Sequence, residues 1–263
     1  MARIIRNPEG GRFYRPDGTV VFEVPMTSKD GMRDPTIADA KKHGWCVSVT
    51  EVLKLLDKAF LNTWKLQHIL EVGIENPIAE NETADQWILR VHELSGEYAS
   101  LAADRGKEIH AAVDNYFRVI REKGKAALPD DPACERACRE ISAHYGDVEI
   151  LTEVPFVSPL GFAGTADLVI NNEILGDIKT KDLSKSFTKP SFDMGLQLGG
   201  YNTEFQFPYL DEVIVDRNTG ETRFFRWGKK WKRTQSQSPK QLEEAFLKTF
   251  SIWQMKNQFF FGK

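Results

Sequence analysis

The residues equipped for chemistry crowd into one stretch. Across positions 153–201 the chain reads EVPF, then GTADLVINNEILGDIKTKD, then QLGGY after a polar interval. Asp167 closes a turn-like GTAD and opens the apolar run Leu168-Val169-Ile170. Asn171-Asn172 suits a two-residue turn, and residues 173–179 read as the second strand of the same hairpin. Residues two apart in a strand point to one side, so Asp177 and Lys179 share a face while Ile178 turns to the core. A carboxylate and an ammonium side by side, with Asp167 on the neighbouring strand, suit metal-assisted hydrolysis of a phosphodiester.

The elements that must position these groups follow from periodicity. Residues 1–46 are rich in Gly, Pro, Asp and Arg, with one short hairpin or edge strand around Val20-Val21-Phe22. Ser48 or Thr50 caps a helix carrying Val52, Leu55, Leu56, Ala59 and Phe60 at helical spacing and running on towards Leu70. Residues 82–122 are mostly helical, with Gly96 and Gly106 as expected breaks. There Ile109, Ala112, Val113, Tyr116 and Phe117 form an apolar stripe, with His110 beside it and Gly106 one turn earlier on the same face as His110. A further helix over 133–145 precedes strands over 147–157, 161–170 and 173–179. A polar loop over 181–190 follows, then a helix over 193–206 that places Gln197 and Tyr201 on one face. A strand pair over 212–215 and 222–227, turned at Asn218-Thr219-Gly220, leads to a C-terminal helix opened by Pro239. This order predicts an α/β (α+β) protein, a central mixed β-sheet flanked by helices, with an N-terminal helical region.

With 263 residues, 41% of them hydrophobic and 28% charged, the chain is ordinary for a soluble globular protein. It is expected to fold as a single domain, 1–263, whose mostly helical part, 1–122, forms a wall or arch beside a catalytic part, 123–263. No apolar run approaches the roughly 20 residues of a membrane span, and the first residues are too polar for a secretory signal. Cys46, Cys134 and Cys138 give no disulfide framework, so a reducing cytoplasm is expected. A net charge of −3 argues against a general nucleic-acid coat, but leaves room for a local basic groove.

Two segments offer such a groove. The 217–233 segment, RNTGETRFFRWGKKWKR, alternates cations with aromatics. Arg223 and Phe224 fit a plain strand, whereas Lys229, Lys230, Trp231, Lys232 and Arg233 beyond it suit phosphate contact and base stacking. Lys181, Lys185 and Lys189 follow the central lysine directly and form the second basic group.

A lone Asp at a strand end is most often solvated surface; an ordered set is not. Gly106-Lys107-Glu108-Ile109-His110, Gly164-Thr165-Ala166-Asp167, Asp177-Ile178-Lys179 and Gln197-Leu198-Gly199-Gly200-Tyr201 resemble, in order, the motifs of the PD-(D/E)XK nucleases in their RecB-like branch. Ser48-Val49-Thr50-Glu51-Val52-Leu53 with a Trp after it also resembles the start of phage-encoded and mitochondrial genome maintenance exonucleases, so the likeness spans 48–205. It implies a restriction-endonuclease-like core in which Asp167, Asp177, His110 and the Ile178 carbonyl bind Mg²⁺ or Mn²⁺. Glu153 would bind a second ion or hold a metal water. Lys179 would lie near the attacking water, with Gln197 and Tyr201 bonded to the lysine, the carboxylates or a substrate phosphate. Some relatives hold an iron–sulfur cluster on four cysteines; three cysteines cannot, so no cluster is expected.

The resemblance implies a metal-dependent exonuclease acting from DNA ends, favouring single strands, in DNA repair, recombination or replication in a bacterial or phage-infected cytoplasm. The alternatives are a double-strand-specific phage recombination exonuclease with a single-strand-annealing or single-strand-binding partner, and a non-catalytic DNA-binding protein on the same fold. Retention of every acidic position and of Lys179 counts against the last.

Overall fold

Strands covered on both faces read as continuous apolar runs, and the middle of this chain supplies several. The computed structural model describes residues 13–26, 30–56, 59–184, 187, 189–231 and 234–261. Two small hairpins come first, β1 (Phe13–Tyr14) with β2 (Val20–Val21), and β3 (Val24–Pro25) with β4 (Met32–Arg33). Then come α1 (Ile37–His43), β5 (Cys46–Ser48), α2 (Val49–Leu53), α3 (Ala59–Glu75), α4 (Ala84–Lys123) and α5 (Pro132–Tyr145). The centre is β6 (Ile150–Val157), β7 (Phe162–Ile170), β8 (Ile174–Lys181), α6 (Phe192–Phe205) and β9 (Tyr209–Asp216). β10 (Thr222–Arg226), a hairpin of β11 (Lys230–Trp231) and β12 (Thr234–Gln235), and α7 (Pro239–Asn257) complete the chain.

The main sheet runs β10-β9-β8-β7-β5-β1-β2, with β6 paired along the other edge of β7. β8 is antiparallel to β7 and parallel to β9, so the sheet is mixed. One face is covered by α4 and α5, whose Ile109, Val113, Phe117, Cys138 and Ile141 pack on Leu168, Ile170, Ile178 and Val213. The other face packs Leu196 and Tyr201 of α6 and Phe246, Phe250 and Trp253 of α7 against Val47, Phe162, Val169 and Leu175. A mixed sheet between helices is the predicted class, and it is consistent with a restriction-endonuclease-like fold. Among the described residues, no helix is long and apolar enough to cross a membrane.

One detail of the sheet places the site. β6 pairs with β7 over its whole length, while the opposite edge of β7 is shared. β8 pairs there only from Leu168 to Ile170, and β5 only at Phe162–Ala163. Between them, Gly164 to Asp167 face a gap from which β8 diverges.

Several expectations need correction. The helix from Ser48 towards Leu70 is two helices, because α2 ends at Leu53, with Ser48 Oγ accepting the Glu51 amide as its cap. Gly96 and Gly106 do not break α4, which runs for 40 residues through both. Each glycine costs about 1 kcal/mol in a helix interior, less than the packing of α4 on the sheet. Gly106 also lets the helix lie close to β8, since a Cβ there would sit 2.7 Å from Thr180 Oγ1. Lys181 belongs to β8, not to the following loop, and β11–β12 replaces the expected loop around Lys230. α1 and β5 lie in or at the end of the 1–46 stretch, where only one short hairpin or edge strand is expected.

Candidate metal and catalytic centre

β7 and β8 separate at the level of Asp167 and Asp177, which leaves the Ile178 amide without a ladder partner. The Asp167 carboxylate takes its place, with Oδ2 accepting the Ile178 N–H at 2.7 Å. The same oxygen lies 3.7 Å from His110 Nδ1 on α4. Glu153 stands across the β6–β7 ladder, between the Thr152–Leu168 and Val154–Ala166 pairs. One donor atom each from His110, Glu153 and Asp167 fall within 4.8 Å of one another, so these three could hold a metal ion. Thr152 Oγ1 donates to Asp114 Oδ1 at 2.5 Å and ties β6 to α4 one turn after His110.

Glu153 has φ 49° in mid-strand. A non-glycine residue held there costs on the order of 1–3 kcal/mol, and the strain falls on a member of this candidate donor set.

Asp177 stands outside that cluster. Its side chain is 0% exposed, with Oδ1 accepting from Gln197 Nε2 at 2.8 Å and Oδ2 lying 2.6 Å from Lys179 Nζ. The second contact is a close ion pair, and Oδ2 has no other partner among the described residues. Burial pushes the Asp177 pKa up to about 6; the Lys179 ammonium opposes this and the Asp167 carboxylate adds to it. Burial pulls the Lys179 pKa down, but Asp177, Asp167 and Glu212 outweigh it and hold it above the usual lysine value. Lys179 is therefore a cation, 28% exposed, at the mouth of the gap.

Gln197 connects these groups. Its Oε1 accepts from Lys179 Nζ at 3.2 Å, and its Nε2 also donates to Tyr201 Oη at 2.9 Å. Tyr201 is buried, and burial followed by the Asp177 charge raises its pKa well above that of free tyrosine. Gly164 and Gly200 allow this packing: a Cβ on Gly164 would meet the Tyr201 and Phe156 rings at 2.7 Å, and one on Gly200 would meet Phe246 at 2.9 Å.

Glu212 was absent from the sequence-level set. It pairs in register with Asp177 on the parallel strand β9 and is 0% exposed. Burial, then the Asp177 carboxylate, raises its pKa well above the usual glutamate value, with Lys179 and a bond from Trp227 opposing. The available signal was an acidic pair, Asp211-Glu212, inside the apolar run of a strand covered on both faces.

Of the remaining expected residues, Lys181 ends β8 two positions beyond Lys179. Lys189, Lys229 and Lys230 are exposed and Lys181 is half-buried, while Lys185, Lys232 and Arg233 fall outside the described residues. Trp231 is not a free stacking platform, because its Nε1 bonds the Arg226 carbonyl at 3.1 Å and its ring packs edge-on against Trp227 and Phe225. Cys46, Cys134 and Cys138 are buried, and burial raises their pKa values to about 11, 11 and 12, so they are protonated thiols.

No family model and no curated protein matches the sequence. Among solved structures, an alkaline exonuclease (LHK-Exo) from Laribacter hongkongensis aligns with TM-score 0.40 and 13% identity over 81% of this chain and 90% of that one. The crystal structure of SSO0001 aligns with TM-score 0.32 and 15% identity over 73% and 86% of the two chains. At these scores the likeness bears on neither substrate nor role.

Proposed function

We propose that the chain is a metal-dependent deoxyribonuclease of the PD-(D/E)XK superfamily, of the RecB-like branch without an iron–sulfur cluster, acting as an exonuclease from DNA ends. The observation that carries this reading is the meeting of a His110–Glu153–Asp167 donor set with a charged Lys179 at the gap between β7 and β8. One imidazole and two carboxylates are hard ligands that suit Mg²⁺ or Mn²⁺ and leave positions for water. An ion bound there would polarise a phosphoryl oxygen and acidify a water. Asp177 and the Ile178 carbonyl, on the strand next to Asp167, are the further ligands this reading calls for.

The protein's own groups have distinct tasks. Lys179 keeps its proton, so it acts as a fixed positive charge for the developing negative charge on phosphorus, not as a base. Asp177 holds that ammonium in place. Gln197 fixes both through bonds at 2.8 and 3.2 Å and is itself held by Tyr201, which makes Gln197 and Tyr201 positioning residues. α3 and α4 form the wall along which a single strand passes, and Lys189, Lys229 and Lys230 contact its backbone. The biological setting of this reading is repair, recombination or replication in the cytoplasm, beside a protein that binds or anneals single strands.

The test uses end-labelled single- and double-stranded DNA and a covalently closed circle, each with Mg²⁺ and with EDTA. Metal-dependent loss from ends is expected, fastest on single strands, and Asp177→Ala and Lys179→Ala should abolish it while far-UV dichroism is unchanged. Calorimetric Mn²⁺ binding should be lost in Asp167→Asn and His110→Ala. Cutting of the closed circle would overturn the exonuclease assignment, and near-normal cleavage by Lys179→Ala would overturn the mechanism.

A further inference from the structure

Two cations at the end of the sheet, Lys181 and Arg217, make no ion pair among the described residues. β8 and β9 run parallel and end together, with Lys181 in register with Asp216 and the Arg217 amide donating to the Lys181 carbonyl at 2.8 Å. Asp216 makes no ion pair with either of them among the described residues, because its carboxylate oxygens accept the amides of Leu183, Asn218 and Thr219. Arg217 contrasts with Arg33, Arg90, Arg105, Arg223 and Arg226, each bonded to a carboxylate. Its side chain has no hydrogen bond or ion pair among the described residues, and its Nε is buried without a partner.

A buried guanidinium nitrogen left unpaired costs free energy that a bound anion would recover. Lys181 is in a similar state. Burial lowers its pKa, and so do the Lys179 and Arg217 charges, while Asp193 on α6 and Glu212 on β9 partly restore it. The same shift places Lys179, Lys181 and Arg217 within electrostatic reach of one another.

The spacing suggests what the anion is. Lys181 lies two residues beyond Lys179 on the same face of β8, about 6.6 Å along the strand, which is of the order of the step between successive phosphates in an extended nucleic-acid strand. The pair also sits at the carboxyl ends of parallel strands, where ligands of open α/β sheets collect.

We propose that Lys181 and Arg217 together hold a phosphate of the bound DNA strand, next to the phosphate at Lys179. The assignment rests on the nuclease reading and adds Arg217, which opens the basic 217–233 segment but belongs to none of the nuclease motifs. Guanidinium supplies a fork matched to two phosphate oxygens, and the ammonium supplies a point charge beside it. The pair sets how the strand is aligned past the reacting bond.

The experiment measures binding separately from cleavage. A short fluorescein-labelled oligothymidylate is titrated in EDTA over a series of salt concentrations against wild type, Lys181→Gln, Arg217→Gln and the double variant. Lys248→Gln, at an exposed position of α7, removes one charge elsewhere as a control. Each single substitution is expected to weaken binding several-fold at low salt and to reduce the log–log salt slope by about 0.7, the value for one phosphate on a single strand. The control should change neither. A double variant with the wild-type slope overturns the proposal, and so does an equal loss in Lys248→Gln. Wild type that binds the oligonucleotide but cleaves nothing with Mg²⁺ overturns the nuclease reading alone, and the slopes still decide the phosphate pair.

Discussion

Glu212→Gln turns the electrostatics of the centre into a measurable stability. The Glu212 carboxyl is 0% exposed, its Oε1 accepts only the Trp227 indole N–H at 3.3 Å, and its Oε2 is buried without a hydrogen-bond partner. Of the cations near it, Lys179 is already held by Asp177 and Asp167, and Lys181 is itself shifted by burial. Its folded pKa is therefore raised, while in the unfolded chain it is that of a free glutamate. Below about pH 4.3 both states hold the proton and the group costs nothing. As pH rises past that value only the folded state keeps the proton, and stability falls by about 1.4 kcal/mol per pH unit until the folded group itself ionises. Glutamine matches the shape of the protonated acid, keeps an acceptor for Trp227 and does not titrate. Urea melts of both proteins across about pH 5 to 8 should show the variant gaining on wild type as pH rises, by at most about 3 kcal/mol between pH 5 and pH 7. A stability difference independent of pH would refute the buried, protonated state of Glu212, and so would wild type becoming the more stable at the alkaline end.

Gln197 discriminates shape from donor chemistry. Gln197→Ala leaves Asp177 Oδ1 without its 2.8 Å donor and should cost about 1–3 kcal/mol. Gln197→Glu is nearly isosteric, yet it sets a carboxylate against Asp177; it should be worse than alanine at neutral pH and recover as the pH falls. Equal denaturation midpoints for the two variants at all pH values would remove the hydrogen-bond assignment. Gly199→Ala tests the α6–α7 contact, since its Cβ would stand 2.6 Å from the Leu242 backbone carbon, which cannot rotate away. A loss of about 1–3 kcal/mol with an unchanged urea m-value is expected, and wild-type stability would show that the two helices sit farther apart.

The local features were legible because they depend on neighbours in sequence. Asn171 and Asn172 adopt φ 51° and 53°, the positive values that a tight primed turn demands of its central residues. Ser48 accepts the Glu51 amide that opens α2, as a capping side chain does, and Pro239 takes the first position of α7. The alternation of Asp177 and Lys179 about Ile178 needed only the two-residue period of a strand: Ile178 is in the core, and the charged pair faces Gln197. Breaks at Gly96 and Gly106 were misjudged on the same local basis, because the helix through them is held by what α4 packs against.

By itself the sequence determined the residue types, their order and the faces they occupy within each strand or helix, since those follow from backbone geometry over a few residues. Only the tertiary structure decided which charges are covered and which are paired. It brought β5 and β8 to one edge of β7, opened the gap that Asp167 fills, set Glu212 against Asp177 across a parallel ladder and left Arg217 Nε buried with no hydrogen-bond partner among the described residues. Desolvation and Coulomb terms depend on what surrounds a group in space, and residues brought together from opposite ends of the chain carry no mark of it in their order.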